Sequence, residues 1–596
     1  MALECYREIW LVDFEFIAKD GNRPEPICLV AHELRSGRRV RLGQDEFGSS
    51  PPYPTDAGSL FVAYYASAEL GCHKVLGWPM PARVLDLFAE FRDRTNGLNP
   101  LHGNGLLGAL AYFGLGGIGA AEKTEMRDLV LRGGPWSGEE REAILDYCES
   151  DVAALERLLP VMLPRLDMPH ALLRGRYMAA AAIMEHHGTP LNTSRLMKFL
   201  SHRERVQERL IAEIDCEFHV YEGTTFKASA FHDYLTCSQI PWLYSEKGGL
   251  ILDEDTFKFM AGHYPNLKPL ADLRKVLADL RMVDLKVGED GRGRTLLSVL
   301  ASKTGRNQPS NSKSIWGASS WFRGFIQPPK GHGIAYIDWE QQEFAIAAWL
   351  SGDRAMQEVY LTSDPYIAFG QRAGLLPPDA TKKTHETERE PLKQCVLGVQ
   401  FGMGPHTLAH RINQPMPVAR ELLEAHHRAF PQFWKWSNAV VDAAIQNHGL
   451  ETALGWHLHI PHNPELKFAK GNGREITPVR ERTLRNFPMQ ANGAEMLRVA
   501  CSLATERGIE VCAPVHDAVL ICSPLDRFDE DIKRMQACMA EASRLVLGGF
   551  EVKTEVKAIR YPDCFISNEK QRGFDMWVRV LRILDEIEGE RLFNYG

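Results

Sequence analysis

The sequence lacks the features that define membrane proteins, secreted proteins and small zinc-stabilised domains. Its longest apolar runs, such as residues 178–184, are far shorter than the roughly 20 residues that cross a bilayer. The first residues carry mixed charge and no apolar segment of a secretory signal. The 12 cysteines form no Cys-x-x-Cys pair and have no histidines at zinc-finger spacing. We therefore expect a cytoplasmic protein with no membrane partner, no disulfide framework and no structural zinc.

The sequence also lacks an excess of positive charge. Lysine and arginine total 69 against 77 aspartates and glutamates, which gives a net charge of −8. A small DNA-binding module is usually basic, whereas a large enzyme can be acidic overall and still line one cleft with Arg and Lys. The charge therefore argues against a chromatin-type binder but not against nucleic acid as a substrate.

The composition is that of a globular protein, and the chain divides into two α/β parts. At 596 residues it has the length of about four domain-sized units. In the first part, apolar patterning predicts strands and one late helix, over residues 9–16, 27–32, 60–65 and 139–159. Three prolines between residues 160 and 169 then indicate a domain boundary.

The second part begins with a helical pattern and continues with mixed elements. The pattern predicts a helix over residues 176–210, broken near residue 188, and then a polar and less regular stretch over 211–300. A strand is predicted at 334–338, a strand–turn–strand at 509–523 and a final helix at 572–596. The final helix suggests no function.

A first group of acidic residues lies in the N-terminal part. Asp13-Phe14-Glu15 ends a predicted strand, and period-two geometry puts both carboxylates on one face. Tyr147 and Asp151 are four residues apart on the late helix and share a helical face. Three or four carboxylates can hold two divalent cations for phosphodiester hydrolysis. Taken alone, an Asp-x-Glu after an apolar run is more often a solvated strand end.

This group, together with an acidic residue after a middle strand, resembles the DEDD-type 3′–5′ exonucleases, which proofread for DNA polymerases. The resemblance implies an RNase H-like exonuclease domain over residues 1–165. It implies that four carboxylates are metal ligands, namely Asp13, Glu15, Glu69 and Asp151. It also implies that Tyr147 orients the attacking water.

The middle motif departs from the family pattern. The family has Asn followed four residues later by Asp, where this chain has Tyr65 and Glu69. Glutamate is one methylene longer and can still bind Mg²⁺. Asp86 is a rival third ligand, although capping of the following helix suits it better. An active exonuclease and an inactive exonuclease-like domain are therefore both open.

A second pair of carboxylates stands in the C-terminal part. Asp338 ends an apolar strand, and Asp517 follows His516 at the turn of the predicted hairpin. Two carboxylates on adjacent strands are the minimum for two-metal phosphoryl transfer. Turns also carry Asp for backbone reasons alone, so the pair by itself is not specific.

A helix between these carboxylates combines cations with apolar side chains. Arg389, Lys393, Leu397 and Phe401 are four residues apart and drift only about 40° per step, so they form one stripe. Two cations followed by apolar groups suit a triphosphate beside a base. The alternative is an amphipathic helix with a solvated Arg/Lys end.

A further helix presents long polar donors. Arg482, Asn486 and Gln490 share the spacing of four. Such donors suit the minor-groove acceptors that every base pair presents. A protein with this helix could sense duplex shape without reading sequence.

Five motifs in this order resemble those of the family A DNA polymerases, the group of bacterial DNA polymerase I, of a phage or plasmid type. They include Thr304-Gly-Arg306, the strand ending in Asp338, and the helices and hairpin described above. The resemblance implies a right-hand polymerase over residues 166–596. Its thumb would lie at residues 190–300 and its fingers at residues 351–475. Its palm would be formed by residues 301–350 together with 476–565.

The resemblance also implies roles for individual residues. Two Mg²⁺ ions per active site, with Mn²⁺ as a substitute, would be held by Asp338, the Trp339 carbonyl and Asp517. The incoming dNTP would contact Arg389, Lys393, Leu397, Phe401 and Glu343. Primer–template DNA would contact Arg306, Arg482, Asn486, Gln490 and His516.

Several positions depart from the family pattern. Leu397 replaces an aromatic residue and Phe401 replaces a tyrosine, whose hydroxyl in the family steadies the glutamate that corresponds to Glu343. A buried glutamate without that partner needs another donor. Ala345 and Ala518 replace an arginine and a glutamate. These changes remove no catalytic carboxylate. Because of them, however, the resemblance does not imply the sugar selection that is usual in the family.

The leading hypothesis is a template-directed DNA polymerase with a proofreading exonuclease, acting in a bacterial or phage-infected cell. The alternatives are a polymerase with an inactive exonuclease domain and a non-catalytic nucleic-acid-binding protein. An RNA polymerase is disfavoured, because Glu343 would collide with a ribose 2′-hydroxyl. Accessory replication partners are not indicated by the sequence.

Overall fold

The computed structural model describes residues 3–19, 21–116, 120–282, 284–362, 364–461, 480–567 and 573–594. The chain forms two compact units. The first comprises Met1–Gly188, Leu296–Gln308 and Ala335–Ala558, and the second Thr189–Thr295, Pro309–Ile334 and Ile559–Gly596. Among the described helices, none has both the length and the apolarity needed to cross a membrane.

The N-terminal part of the first unit is built on a five-stranded sheet. Its strands are β1 (Glu8–Ile17), β2 (Glu25–Glu33), β3 (Arg39–Gly43), β4 (Ser59–Ala63) and β5 (Val84–Asp86). They lie in the order β3-β2-β1-β4-β5. β1 pairs antiparallel with β2, and β2 with β3, whereas the β1–β4 and β4–β5 pairs are parallel. The predicted strands are confirmed, but β1 does not end at Glu15 as expected.

Helices cover both faces of this sheet. They are α1 (Ser67–Leu76), α2 (Leu87–Thr95), α3 (Leu106–Tyr112), α4 (Ala120–Arg132), α5 (Gly138–Met162) and α6 (Met168–His187). Alternate residues of β1 enter different cores, as the period of a strand requires. Trp10 and Val12 belong to one buried cluster, and Ile9 and Leu11 to the other, which contains the apolar face of α5.

The second unit contains short strands and small helices. They are β6 (Thr189–Pro190), α7 (Thr193–Ser201), α8 (Arg203–Asp215), β7 (Tyr221–Glu222), β8 (Thr225–Phe226), α9 (Ala228–Cys237), α10 (Glu254–His263), α11 (Lys268–Met282) and β9 (Arg292–Gly293), with a 3₁₀ helix at Ser320–Phe325. Much of the stretch that showed little periodicity is therefore helical. An aromatic core holds these short helices, with the Trp242 and Phe257 rings 5.0 Å apart.

The remaining elements follow residue 331 and fall mainly within the first unit. They are β10 (His332–Trp339), α12 (Gln342–Ser351), α13 (Arg354–Tyr360), α14 (Pro365–Arg372), α15 (Glu386–Gln400), α16 (Pro405–Ile412), α17 (Met416–Ala429), α18 (Pro431–Gln446), β11 (Gly449–Glu451), β12 (His457–His459), α19 (Glu481–Glu506), β13 (Val511–Val515), β14 (Ala518–Pro524), α20 (Phe528–Val546) and β15 (Thr554–Arg560). The sheet order is β13-β14-β10-β15. The predicted hairpin and the strand at 334–338 are confirmed.

The predicted C-terminal helix is present as α21 (Phe574–Asn594), and it packs within the second unit. Trp577 lies so close to Gly324 that a Cβ there would be 2.3 Å from the indole. Lys198 pairs with Glu588 at 3.0 Å across the same packing. The helix therefore stabilises the second unit.

A buried ion pair joins α2 to α6 in the first unit. The Arg174 guanidinium donates to both Glu90 carboxylate oxygens at 2.6 and 2.8 Å. A third hydrogen bond, of 2.9 Å, reaches the Gly455 carbonyl. Both side chains are at most 5% exposed, so each charge depends on the other.

We expect Glu90→Gln to lower the free energy of unfolding by about 3–5 kcal/mol, because it leaves the Arg174 charge buried and unpaired. Urea unfolding followed by tryptophan fluorescence measures the change. The control is Glu506→Gln, which breaks a similar but half-exposed pair with Arg176 and should cost less than about 1 kcal/mol. Equal losses in the two variants would contradict the assignment.

Candidate active sites

Three carboxylates meet where β1 faces α5. Asp13 and Glu15 point to the α5 side because they continue the alternation of Ile9 and Leu11. Their oxygens and one of Asp151 all lie within 4.8 Å of one another, so three of the four implied metal ligands come together. The donors are those of a divalent-cation site.

Crowding of these carboxylates disfavours their negative charges. Burial, and secondly the charge of Asp151, raises the pKa of Asp13 well above its ordinary value. Burial is also the main cause that raises the pKa of Glu15 to about 8. Burial, and then the charges of the same carboxylates, raises the pKa of Tyr147. The cluster therefore favours a cation.

Sequence reasoning missed Lys123, which supplies a cation to this cluster. Its Nζ lies 2.8 and 2.7 Å from the two oxygens of Asp151. It also lies 5.6 Å from the centroid of the Tyr147 ring. A lysine in a separate helix, α4, carries no local signal of this contact. The ammonium group neutralises part of the charge that a metal ion would meet.

The acidic residues in the region of the middle motif accept hydrogen bonds from the backbone. Glu69 is buried and accepts a 2.7 Å hydrogen bond from the Phe14 backbone N–H. It is not part of the three-carboxylate group found among the described residues. Asp86 accepts hydrogen bonds from the backbone of Ala66 and Ala89 and caps α2, in line with the capping interpretation. Tyr65 has a φ of 73°, which is unusual for a tyrosine.

The second pair of carboxylates also forms. Asp338 lies in β10, beside the hairpin whose turn holds His516 and Asp517, and the Trp339 N–H donates to the Asp517 carbonyl at 3.4 Å. Burial, and then repulsion by Asp517, raises the pKa of Asp338 to about 7. In the described part of the chain, Asp338 Oδ1 is buried without a hydrogen-bond partner. An orphaned carboxylate oxygen beside a second carboxylate fits a divalent cation.

Glu343 has the donors that Phe401 cannot supply. Arg306 Nη2 lies 3.4 Å from Glu343 Oε1. Burial raises the pKa of Glu343, and Arg306 and a hydrogen bond from Gln490 oppose this rise. Burial also raises the pKa of Asp517, again against the charge of Arg306. Arg306 thus interacts with two acidic groups of the site.

The two predicted triphosphate ligands differ in their surroundings. Arg389, on α15, donates to Asp364 at 2.6 Å and lies 4.9 Å from the centroid of the Tyr366 ring. Asp364 in turn caps α14 by accepting from the Tyr366 and Ile367 N–H groups. Lys393 forms no ion pair with any described residue. Asp364-Pro-Tyr is a helix-start signal, so the sequence indicates that Asp364 caps a helix. It gives no signal that Asp364 also pairs with Arg389.

The remaining predicted contacts lie on α15 and α19. Leu397 is half-buried, and Phe401 ends α15. The next residue, Gly402, lies beside the start of α19, where a Cβ would be in ordinary van der Waals contact with Arg482 Cα at 3.5 Å. Asn486 Oδ1 is buried without a partner among the described residues. The predicted boundary between fingers and palm, at residues 475 and 476, lies outside the described residues.

A sheet that brings two partly buried carboxylates together beside a cation-bearing helix is typical of phosphoryl-transfer enzymes. Residues 309–559 match the sequence model of DNA polymerase family A. This part of the chain is therefore similar to the members of that family.

Curated relatives include phage and bacterial enzymes. The chain is 24% identical over 327 residues to a DNA polymerase of Escherichia phage T5, covering 48% of this chain and 38% of the relative. It is 25% identical over 278 residues to a DNA polymerase of Mycobacterium phage D29, covering 45% and 41%. For a thermostable DNA polymerase I of Thermus thermophilus the identity is 24% over 223 residues, covering 36% and 26%. The chain thus spans about two fifths or less of each relative.

A solved structure shares the fold. It is the POL domain of Pol1 from M. smegmatis in complex with DNA primer-template and dNTP, with a TM-score of 0.65 and 17% identity. The match covers 92% of this chain and 95% of that one. At this identity the likeness extends to the mixed α/β polymerase fold.

We expect Lys123→Met to tighten Mn²⁺ binding at the N-terminal cluster about three- to tenfold, because a partly exposed ion pair worth about 1 kcal/mol no longer competes with the metal. Titration by electron paramagnetic resonance in an Asp338→Ala, Asp517→Ala background isolates this cluster. Lys123→Arg, which keeps the charge, is the matched control. Unchanged affinity in Lys123→Met would show that the lysine does not compete.

Proposed function

We propose that this protein is a template-directed DNA polymerase that extends a primer 3′-hydroxyl with dNTPs and releases pyrophosphate. The observation that carries the proposal is the pair Asp338 and Asp517, which lie partly buried beside each other within the segment that matches the model of DNA polymerase family A. The phage and bacterial relatives support a reaction in the cytoplasm of a bacterial or phage-infected cell.

Asp338, Asp517 and the Trp339 carbonyl would hold two Mg²⁺ ions, with Mn²⁺ as a substitute. When bound, such ions lower the pKa of an attacking hydroxyl and stabilise the charge that develops on phosphate. The orphaned Asp338 oxygen supports this assignment.

Cationic and apolar side chains of α15 would bind the incoming nucleotide. Lys393 is unpaired among the described residues and can meet a phosphate directly. Arg389 must share its guanidinium between Asp364 and the phosphate, or leave Asp364, when a triphosphate arrives. Leu397 and Phe401 would pack near the base and sugar.

Glu343 would exclude a ribose 2′-hydroxyl and so favour deoxynucleotides over ribonucleotides. Its contacts with Arg306 and Gln490 hold it in place without a tyrosine hydroxyl. This arrangement supports a DNA polymerase rather than an RNA polymerase.

Primer–template DNA would lie along α19 and the hairpin turn. Arg306, Arg482, Asn486 and Gln490 offer donors of the length that minor-groove acceptors need. His516, with a φ of 57° at the turn, would touch the primer terminus.

Asp338→Ala and Asp517→Ala should each reduce primer extension by several orders of magnitude, because each removes a proposed metal ligand. The assay is extension of a recessed primer–template with Mg²⁺ on a denaturing gel, with dNTPs and with ribonucleotides in parallel. Asp526→Ala changes an exposed aspartate just after β14 and is the control.

Extension that survives in either variant would overturn the site. If the unaltered protein binds primer–template but does not extend it, a non-catalytic nucleic-acid-binding protein becomes the better description.

A second activity, 3′–5′ exonuclease proofreading, is favoured by the cluster of Asp13, Glu15 and Asp151 within 4.8 Å. These carboxylates would hold metal ions, and Tyr147 would orient the attacking water. Glu69 would be the fourth ligand after release of the Phe14 N–H. A polymerase with an inactive exonuclease domain is the alternative, which the Lys123 contact also supports.

Asp13→Ala combined with Glu15→Ala should abolish primer shortening in the absence of dNTPs, because the cluster loses two of its three carboxylates. Glu8→Ala, in the same strand but outside the cluster, is the control. Shortening that persists would exclude this cluster as the nuclease. If the unaltered protein extends primers without ever shortening them, the domain is inactive.

A further inference from the structure

The loop that carries Arg306 is held by side chains from distant parts of the chain. Within residues 302–306 the backbone turns tightly, with the Ser302 hydroxyl accepting from the Arg306 N–H at 2.8 Å. Gly305 has a φ of +71°, and a Cβ there would lie 2.9 Å from the Arg498 guanidinium. Only glycine fits this position, so the turn has one shape.

Helix α2 of the N-terminal part supplies two of the loop's anchors. Arg92 donates to the carbonyls of Leu300 and Ala301 at 3.3 and 3.2 Å. Asn96, which ends α2 and is 1% exposed, donates to the Lys303 carbonyl at 2.6 Å. Arg92 forms no ion pair with any described residue, so loop carbonyls are what offset the burial of its charge.

The same helix also holds the hairpin β11–β12, which closes the loop from another side. The Asn96 amide donates to the His457 carbonyl at 2.6 Å. Asp93 accepts from the His457 backbone N–H at 2.7 Å and contacts its ring at 2.9 Å. Trp456, next to His457, donates to the Lys303 carbonyl at 3.0 Å. The Lys303 carbonyl therefore receives donors from α2 and from the hairpin at once.

The geometry assigns Arg92 and Asn96 as positioning residues for polymerisation: they fix the turn that aims Arg306 at Glu343. This role rests on the proposed polymerase function, and it does not involve the carboxylates of the N-terminal cluster. The N-terminal part would thus contribute to DNA extension whether or not it degrades DNA.

The test is a double-mutant cycle between Asn96→Ala and Arg306→Ala in the full chain, read as the KM for primer–template and as kcat. We expect Asn96→Ala to raise KM about three- to tenfold, the range of one or two lost hydrogen bonds. If Asn96 acts through Arg306, the double variant should be no worse than Arg306→Ala alone. A general loss of stability would instead multiply the two effects.

Arg92→Lys is the second variant, because it keeps the charge but replaces the guanidinium fork. We expect it to raise KM by part of the amount that complete loss of the fork would. Arg94→Ala is the matched control, because Arg94 is on the same helix but lies over the Phe113 ring instead of the loop. Thermal unfolding of each variant checks folding. If Asn96→Ala does not fold, the comparison of Arg92→Lys with Arg94→Ala decides the outcome.

Multiplicative effects in the cycle, or an unchanged KM in folded Asn96→Ala, would overturn the assignment. Failure of the unaltered protein to extend primers would instead overturn the polymerase function itself.

Discussion

Repulsion between two partly buried carboxylates is the constraint on which the centre of the first unit depends. Asp338 and Asp517 stand beside each other because β10 pairs next to the β13–β14 hairpin. Burial, and then their own negative charges, disfavour this pairing, and both raise the pKa of Asp338. Sheet hydrogen bonds and apolar burial hold them together, so the site is prepared for cations before any arrive.

The protein supplies cations of its own to its acidic groups. Arg306 interacts with Glu343 and Asp517, and Lys123 contacts Asp151. A metal ion must therefore compete with a cationic side chain for these carboxylates. A substrate phosphate must likewise compete with Asp364 for Arg389. Exchange of partners can bind a ligand without leaving either charge buried and alone.

The N-terminal part is joined to the rest of the first unit by polar contacts that need exact geometry. The buried Arg174–Glu90 pair and the Asn96 amide both reach backbone carbonyls far along the chain. Such groups tolerate little displacement, because a buried donor that loses its acceptor is costly. The two parts are therefore joined in one defined arrangement within this unit.

Local periodicity was enough to predict much of the structure. The alternation in β1 put Asp13 and Glu15 on one face, and the spacing of four predicted helices through Arg389 and Arg482. The stretch over residues 211–300 showed little periodicity, because its short helices depend on a shared aromatic core centred on residues such as Trp242.

The sequence by itself determined the order of the motifs and the direction of each side chain relative to its own helix or strand, since both follow from backbone geometry. Only the tertiary structure decided which charges meet: Lys123 with Asp151, Arg389 with Asp364, and Asn96 with the Lys303 carbonyl. Those partners are far apart in sequence. Their contact depends on how whole elements pack, and no local pattern encodes that packing.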